Sequence, residues 1–148
     1  MKPAEDSARY TVGFPRPIVD DLNPLIAQAR DVARLAYAPY SRFRVGAALR
    51  DARGSVYVGC NVESASYGLT ICAERNAIFA AIAAGAARPF AALAVTCLDA
   101  AAPFTPCGAC RQVMAEHLRP DAPVYIDGLG EYRISALLPL AFSLDVGA

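Results

Sequence analysis

The sequence predicts an α/β fold, a three-layer α-β-α sandwich with a mixed central sheet of about five strands. Segments whose apolar residues recur at helical spacing alternate along the chain with segments typical of strands. This alternation favours a single sheet with helices on both of its faces. The run from Phe90 to Cys97 is nearly continuous in apolar residues, as in a strand that is buried on both faces.

In the first half of the domain, the sequence predicts a helix followed by a hairpin. Apolar residues recur at helical spacing from Ile18 to Tyr37, and Pro39 is expected to end this helix. Two strands follow, joined by a turn of the composition Asp-Ala-Arg-Gly, which is typical of a hairpin. These strands are predicted at Phe43–Leu49 and Ser55–Cys60.

The second half alternates helices with strands. A helix is predicted from Ala73 to Ala84, where Gly85 stops it. After the apolar strand described above, the sequence predicts a helix at Gly108–Leu118 and a strand at Val124–Asp127. A weak strand near Tyr132 and a short final helix at Ser135–Leu138 follow.

Composition limits the classes of protein that remain. The 148 residues are enough for one domain with a proper core, predicted at residues 18–148, and the proline-containing residues 1–17 are expected to form a flexible arm. The formal net charge is zero, which argues against a nucleic-acid partner.

The cysteine count and the hydropathy pattern indicate a cytoplasmic protein. The chain has five cysteines, an odd number, and it opens on polar and charged residues rather than on a secretory signal. Such thiols are expected to remain reduced. The alanine-rich stretch from Ala77 to Leu98 is interrupted by Gly85, Arg88 and Pro89, so no membrane contact is expected.

The most informative motif is Cys72-Ala73-Glu74 together with the later segment Pro106-Cys107-Gly108-Ala109-Cys110. Three thiolates can hold zinc and leave its fourth position open, which suits catalysis. A carboxylate beside a ligand can move protons to and from a water molecule on the metal. This pattern is typical of zinc-dependent nucleobase deaminases.

Two other interpretations of these cysteines are a structural zinc site and a set of buried free thiols. A structural site normally needs four protein ligands. The chain has one histidine, His117, which lies about 10 Å beyond Cys110 if both occupy one helix. It is therefore too far away to share the metal with Cys110.

Helix ends and arginines are expected to support the thiolates. Cys72 and Cys107 both stand where a loop becomes a helix, and a helix N-terminus lowers the pKa of a thiol. Three thiolates on one zinc ion leave an excess negative charge. Arg75 is predicted to offset it by donating hydrogen bonds to sulfur, and Arg111 is a second candidate for the same role.

Taken together, the motifs resemble the small, zinc-dependent cytidine deaminase family, within the cytidine and deoxycytidylate deaminase superfamily. The resemblance covers roughly Ala36 to Phe142 and rests on segments that occur in the family's order. These segments are Ala38–Ala48, Gly59–Glu63, Ala65–Tyr67, Cys72–Arg75, Pro106–Gln112 and Leu137–Pro139.

The resemblance implies roles for individual residues. Cys72, Cys107 and Cys110 match the ligands of one zinc ion per subunit, and Glu74 matches the proton shuttle. Asn61 and Glu63 match a pair that hydrogen-bonds the ribose, and they lie two apart in an extended segment, so they point to the same side. The remaining substrate contacts implied by the resemblance are Phe43 against the pyrimidine, the backbone of Ala73 at the base edge, and Phe142 in a neighbouring subunit's pocket.

The activity implied is hydrolytic deamination of cytidine and 2′-deoxycytidine to uridine and 2′-deoxyuridine, with release of ammonia, in pyrimidine salvage. We hypothesise that zinc lowers the pKa of its water, that the hydroxide attacks C4, and that Glu74 carries protons to N3 and to the leaving amine. The family's small members are typically homotetramers with shared active sites. Ser64 departs from the family, in which asparagine is common at this position.

Three alternatives remain open at the level of sequence. One is a deaminase that acts on bases in nucleic acid, which the neutral charge disfavours. Another is a deaminase of nucleoside antibiotics. The third is a non-catalytic zinc module, in which Glu74 would have no purpose and the open zinc position would be unexplained.

Overall fold

The computed structural model describes residues 23–144. The predicted arm, the first residues of the predicted N-terminal helix and residues 145–148 lie outside this range, so the division at residue 17 stays a prediction. Each other predicted helix and strand has a counterpart. The elements are α1 (Pro24–Ala33), β1 (Val45–Arg50), β2 (Val56–Cys60), a 3₁₀ helix (Tyr67–Leu69), α2 (Ala73–Ala83), β3 (Ala92–Cys97), α3 (Gly108–His117), β4 (Pro123–Ile126), β5 (Gly130–Arg133) and α4 (Ile134–Leu137).

The five strands form one mixed sheet in the order β2-β1-β3-β4-β5. β1 is antiparallel to both β2 and β3, while β3 and β4 are parallel and β4 and β5 are antiparallel. The antiparallel β1–β2 pair is the predicted hairpin, and the parallel pair is joined through α3. Strand β3 is buried on both faces, as the apolar run predicts.

Helix α1 covers one face of the sheet. Its N-terminus is capped by Asn23, whose Oδ1 accepts a hydrogen bond from Leu25 N at 3.0 Å. Apolar side chains of α1 pack against the small residues of β1 and β3, namely Ala48, Ala92 and Ala94. The helix comes so close that a Cβ at Gly46 would meet the backbone of Ala29 and Ala33.

Helix α1 ends at Ala33, four residues before the predicted end at Tyr37. The reason is a long-range pairing, because Tyr37 is bridged to Val62 in the parallel sense. Tyr37 N donates to Asn61 O at 3.1 Å, and Glu63 N donates to Tyr37 O at 2.8 Å. The backbone of Tyr37 is therefore extended and not helical.

Helices α2, α3 and α4 cover the opposite face, which completes the predicted three layers. Their apolar side chains pack on alternate residues of the strands, such as Leu49, Leu93, Val95 and Val124. At Gly59, α2 lies against β2 so closely that a Cβ would meet Ala77 N and come within 2.7 Å of Ala73 O. Among residues 23–144, the structure contains no helix with the length and hydropathy needed to cross a membrane.

Candidate active site

The predicted metal ligands lie at the N-terminal ends of α2 and α3. Cys72 is the N-cap of α2 and Cys107 is the N-cap of α3, and neither side chain bonds to its own helix end. Both thiols are therefore free for other partners. Cys110 follows one turn into α3 and is fully buried. The expectation that α2 begins close to Cys72 is confirmed, since its first residue is Ala73.

The three sulfur atoms fit a zinc ion. They all lie within 4.8 Å of one another, and Cys72 Sγ is 3.9 Å from Cys107 Sγ. A tetrahedral zinc ion with Zn–S bonds of about 2.3 Å would hold its sulfur ligands about 3.8 Å apart. Within the described residues this is the one group of three or more histidine, cysteine or acidic side chains with such spacing. Since the group supplies three ligands, a tetrahedral zinc ion bound there would keep one coordination position for a small molecule.

Arg75 lies beside the thiols. Its Nη2 donates a hydrogen bond to Cys72 Sγ at 3.5 Å, and this bond raises the pKa of the guanidinium. A hydrogen bond with Cys110, together with the contact from Arg75, lowers the pKa of Cys72 to about 5 despite its partial burial. The pKa of Cys110 is raised in return. The environment thus favours a thiolate at Cys72.

Glu74 is a buried carboxyl group in the first turn of α2. Its side chain is only 3% exposed. Burial raises its pKa to about 7, and the negative charge of Cys72 adds to the effect. A carboxyl group that titrates near neutral pH can accept and return a proton with little cost in either direction.

The loop that carries Phe43 is held by Asn61 and Glu63. Asn61 Oδ1 accepts from Val45 N at 2.8 Å, and its Nδ2 donates to Phe43 O at 2.8 Å. Glu63 accepts from Tyr40 N at 2.8 Å and from Ser41 N at 3.2 Å. These contacts hold the loop although one of its residues, Arg42, has a φ of 62°, a left-handed conformation that is costly for a residue other than glycine.

The structure places Glu63 at the wall of a cavity of about 340 Å³. The other lining residues are Tyr40, Ser41, Tyr67 and Thr70. Hydrogen bonds from the Ser41 side chain and from the backbone of Tyr40 and Ser41 lower the pKa of Glu63, so Glu63 is a carboxylate at neutral pH. Ser64 does not bond to Glu63, and its hydroxyl instead accepts from Ser66 N at 3.1 Å.

The remaining predicted contacts differ in their exposure. Ala73 is fully buried in the first turn of α2, beside Glu74. Phe43 is 49% exposed and Phe142 is 69% exposed. Phe142 lies beyond α4, where its carbonyl accepts from Gln112 Nε2 at 2.9 Å. Neither phenyl ring belongs to the two buried clusters on the faces of the sheet.

Arg111 does not take the place expected of a second thiolate donor. Its guanidinium donates to three oxygen atoms, on Thr105, Pro106 and Leu137. One of these partners is 26 residues away. Local spacing identifies Arg111 as a neighbour of Cys110 but gives no signal for a contact with the C-terminal helix.

An α-β-α sandwich with three thiols at two helix N-termini and a buried carboxyl group beside them defines a zinc-dependent deaminase. Residues 20–126 match the family described as the cytidine and deoxycytidylate deaminase zinc-binding region. The chain belongs to this family.

Alignments with known relatives span most of the chain. This chain is 50% identical over 129 residues to a cytidine deaminase of Halalkalibacterium halodurans, a match that spans 84% of this chain and 96% of that protein. The cytidine deaminase of Sporosarcina psychrophila is 47% identical over 129 residues, with 84% and 93% covered. The crystal structure of cytidine deaminase from Burkholderia pseudomallei superimposes with a TM-score of 0.74 at 50% identity, covering 80% of this chain and 96% of that one.

Proposed function

We propose that this protein hydrolyses cytidine and 2′-deoxycytidine to uridine and 2′-deoxyuridine, with release of ammonia, in cytoplasmic pyrimidine salvage. The observation that carries the proposal is the group of three thiols beside the buried carboxyl group of Glu74. A zinc ion held by these thiols would have room for a water molecule, and Glu74 would be a proton carrier next to it. The relatives named cytidine deaminase support a free nucleoside as the substrate.

In this mechanism Cys72, Cys107 and Cys110 would hold the zinc ion, which would supply a Lewis acid that makes water a nucleophile at neutral pH. Glu74 takes the proton that this water loses as its oxygen bonds to C4 of cytosine, and delivers it to N3. Glu74 then carries the second proton of the water to the exocyclic amine, which departs as ammonia. Arg75 offsets the charge of the thiolates through its contact with Cys72.

We assign the nucleoside's remaining contacts to Asn61, Phe43, Ala73 and Glu63, of which Glu63 lines the cavity of about 340 Å³. The Glu63 carboxylate and the Asn61 amide are a suitable donor and acceptor set for ribose hydroxyls. Phe43 provides an exposed aromatic face for the pyrimidine. The backbone of Ala73, which adjoins Glu74, is assigned to the edge of the base.

We further propose a homotetramer whose active sites are shared between subunits. Several large apolar side chains are exposed on the single chain, which is typical of surfaces that bury them in an assembly. They include Tyr67 at 74%, Leu69 at 69% and Phe142 at 69% exposure. Phe142 is assigned to a neighbouring subunit's substrate pocket.

The decisive experiment follows the ultraviolet absorbance change from cytidine to uridine, with Glu74→Gln in parallel and zinc content measured for both proteins. We expect turnover by the wild type and a loss of several orders of magnitude in the variant, which should retain zinc because the thiols are unchanged. Deoxycytidine is tested in the same assay.

The outcomes separate the alternatives. A zinc-loaded wild type that converts neither nucleoside would contradict the proposed function. Zinc binding without turnover on any aminated base would instead support a non-catalytic zinc module. Full activity of Glu74→Gln would leave the reaction in place but remove Glu74 as its proton carrier.

A further inference from the structure

Arg111, in the first turn of α3, makes three hydrogen bonds through its guanidinium, all to oxygen. Nε donates to Pro106 O at 2.8 Å and Nη2 donates to Thr105 Oγ1 at 2.8 Å. Nη1 donates to Leu137 O at 2.7 Å. The first two partners belong to the loop that leads into Cys107, and the third is the last residue of α4.

The bond at Nε acts on the backbone next to a metal ligand. Pro106 O belongs to the peptide that joins Pro106 to Cys107, so its orientation sets the direction in which the Cys107 side chain leaves the chain. Cys107 is exposed, whereas Cys110 is buried in the core. Its side chain also makes no capping bond to α3. Packing therefore does little to orient Cys107, and its backbone has to do so.

The bond at Nη1 extends this arrangement to the C-terminal segment. The carbonyls in the last turn of a helix lack intrahelical donors, and Arg111 satisfies the one at Leu137. The next residue of α3, Gln112, donates to Phe142 O at 2.9 Å. Two consecutive side chains of α3 thus bind the C-terminal segment at two points five residues apart.

We propose that Arg111 is a positioning residue, which holds Cys107 in place through the Pro106 peptide and couples the C-terminal segment to the metal centre. This inference rests on the proposed function, because it requires that the three thiols hold zinc. Arginine is suited to the role since its planar fork reaches three acceptors at once. The single ammonium of lysine offers no such fork.

The test compares zinc-loaded wild type with Arg111→Met and Arg111→Lys, and with Arg119→Met as the matched control. Arg119 lies just beyond α3, with its guanidinium 3.7 Å from Asp121 and its side chain 47% exposed. The rate of zinc transfer to a chromogenic chelator is measured at a temperature at which circular dichroism shows every variant folded.

We expect Arg111→Met to release zinc about 10- to 100-fold faster than wild type, the usual cost of losing a group that orients a metal ligand. Arg111→Lys should also release zinc faster, and Arg119→Met should match wild type. With cobalt(II) in place of zinc, Arg111→Met should show altered thiolate-to-metal absorption, which a general loss of stability in a folded protein would not produce.

Two results would overturn the inference. One is a folded Arg111→Met that releases zinc at the wild-type rate, even if its melting temperature falls. If the methionine variant does not fold, Arg111→Lys is judged by the same criterion. The other is a wild type that fails to retain zinc, which would also overturn the proposed function. If the wild type retains zinc and deaminates cytidine, and Arg111→Met releases zinc at the same rate as wild type, the positioning role is contradicted and the proposed function stands.

Discussion

Asn61 shows how much one amide can hold in place. Its side chain is nearly buried, at 7% exposure, and it bonds the backbone on both sides of Arg44, at Phe43 O and Val45 N. Each of those bonds uses one lone pair or one N–H, so an acceptor and a donor remain for a ligand. Asn61 is therefore able to orient the loop of Phe43 and to meet a ribose hydroxyl at the same time.

We predict that Asn61→Ala lowers the free energy of unfolding by about 1–3 kcal/mol, because it leaves two backbone groups without their partner. It should also raise KM for cytidine about tenfold or more, equivalent to about 1.4 kcal/mol. Chemical denaturation and steady-state kinetics measure the two effects.

Asp51→Ala is the matched control for this prediction. Asp51 Oδ1 accepts from Arg53 N and Ser55 N at 2.9 Å, so this variant also leaves backbone groups without their side-chain partner, but it lies in the turn between β1 and β2 and outside the Phe43 loop. Its stability should fall while KM stays near the wild-type value. An unchanged KM in Asn61→Ala would show that cytidine binding does not depend on the Asn61 amide.

At the scale of the elements, the position of α2 determines where Cys72 and Glu74 lie. This helix sits on β2 at Gly59, where there is no space for a side chain. Close packing of this kind holds the N-terminus of α2 at a fixed height above the sheet, since interiors deform little. The distance between the two N-terminal cysteines thus depends on a glycine in a strand that contributes nothing to the chemistry.

We predict that Gly59→Ala destabilises the protein by about 1–3 kcal/mol, because the methyl group would press on the backbone of α2 at Ala77 and Ala73. Thermal unfolding of the zinc-loaded protein measures the effect. Gly68→Ala is the control, since a Cβ there meets nothing within 4 Å, and it should change stability by no more than about 0.5 kcal/mol. Equal stability of the two variants would contradict the close approach.

The same elements show what sequence reasoning can reach. The three cysteines and Glu74 are predictable because their chemistry is carried by short spacings within two segments. The end of α1 is not predictable from periodicity, because it depends on the pairing of Tyr37 with Val62. The contacts of Arg111 are missed for the same reason, since Leu137 O is brought to it only by the packing of α4 beside α3.

At the scale of the whole molecule, several large apolar side chains of the single chain are in contact with solvent. The exposed side chains come from several elements, including Phe79 and Ile82 on α2 and Val58 on β2. Both buried clusters lie against the sheet, and these residues belong to neither. More than one surface of the chain is therefore available for the contacts that the proposed tetramer requires.

We predict that the purified protein has four times the mass of one chain in analytical ultracentrifugation at micromolar concentration. Phe142→Ala should lower kcat/KM about tenfold or more with intact zinc content, because the proposed assembly places this ring in a neighbouring subunit's pocket. A monomeric and fully active wild type would contradict both the tetramer and the shared site.

The ligands of the metal come from two separate parts of the chain, with Cys72 and Cys107 lying 35 residues apart in sequence. The intervening strand β3 lies between β1 and β4 in the folded sheet, so the two helix N-termini are brought together by the sheet that joins the two halves of the domain. During synthesis on the ribosome, a nascent chain that stops short of Cys110 therefore lacks a complete zinc site. A complete set of three thiols consequently exists only after both halves of the domain have been made and have joined.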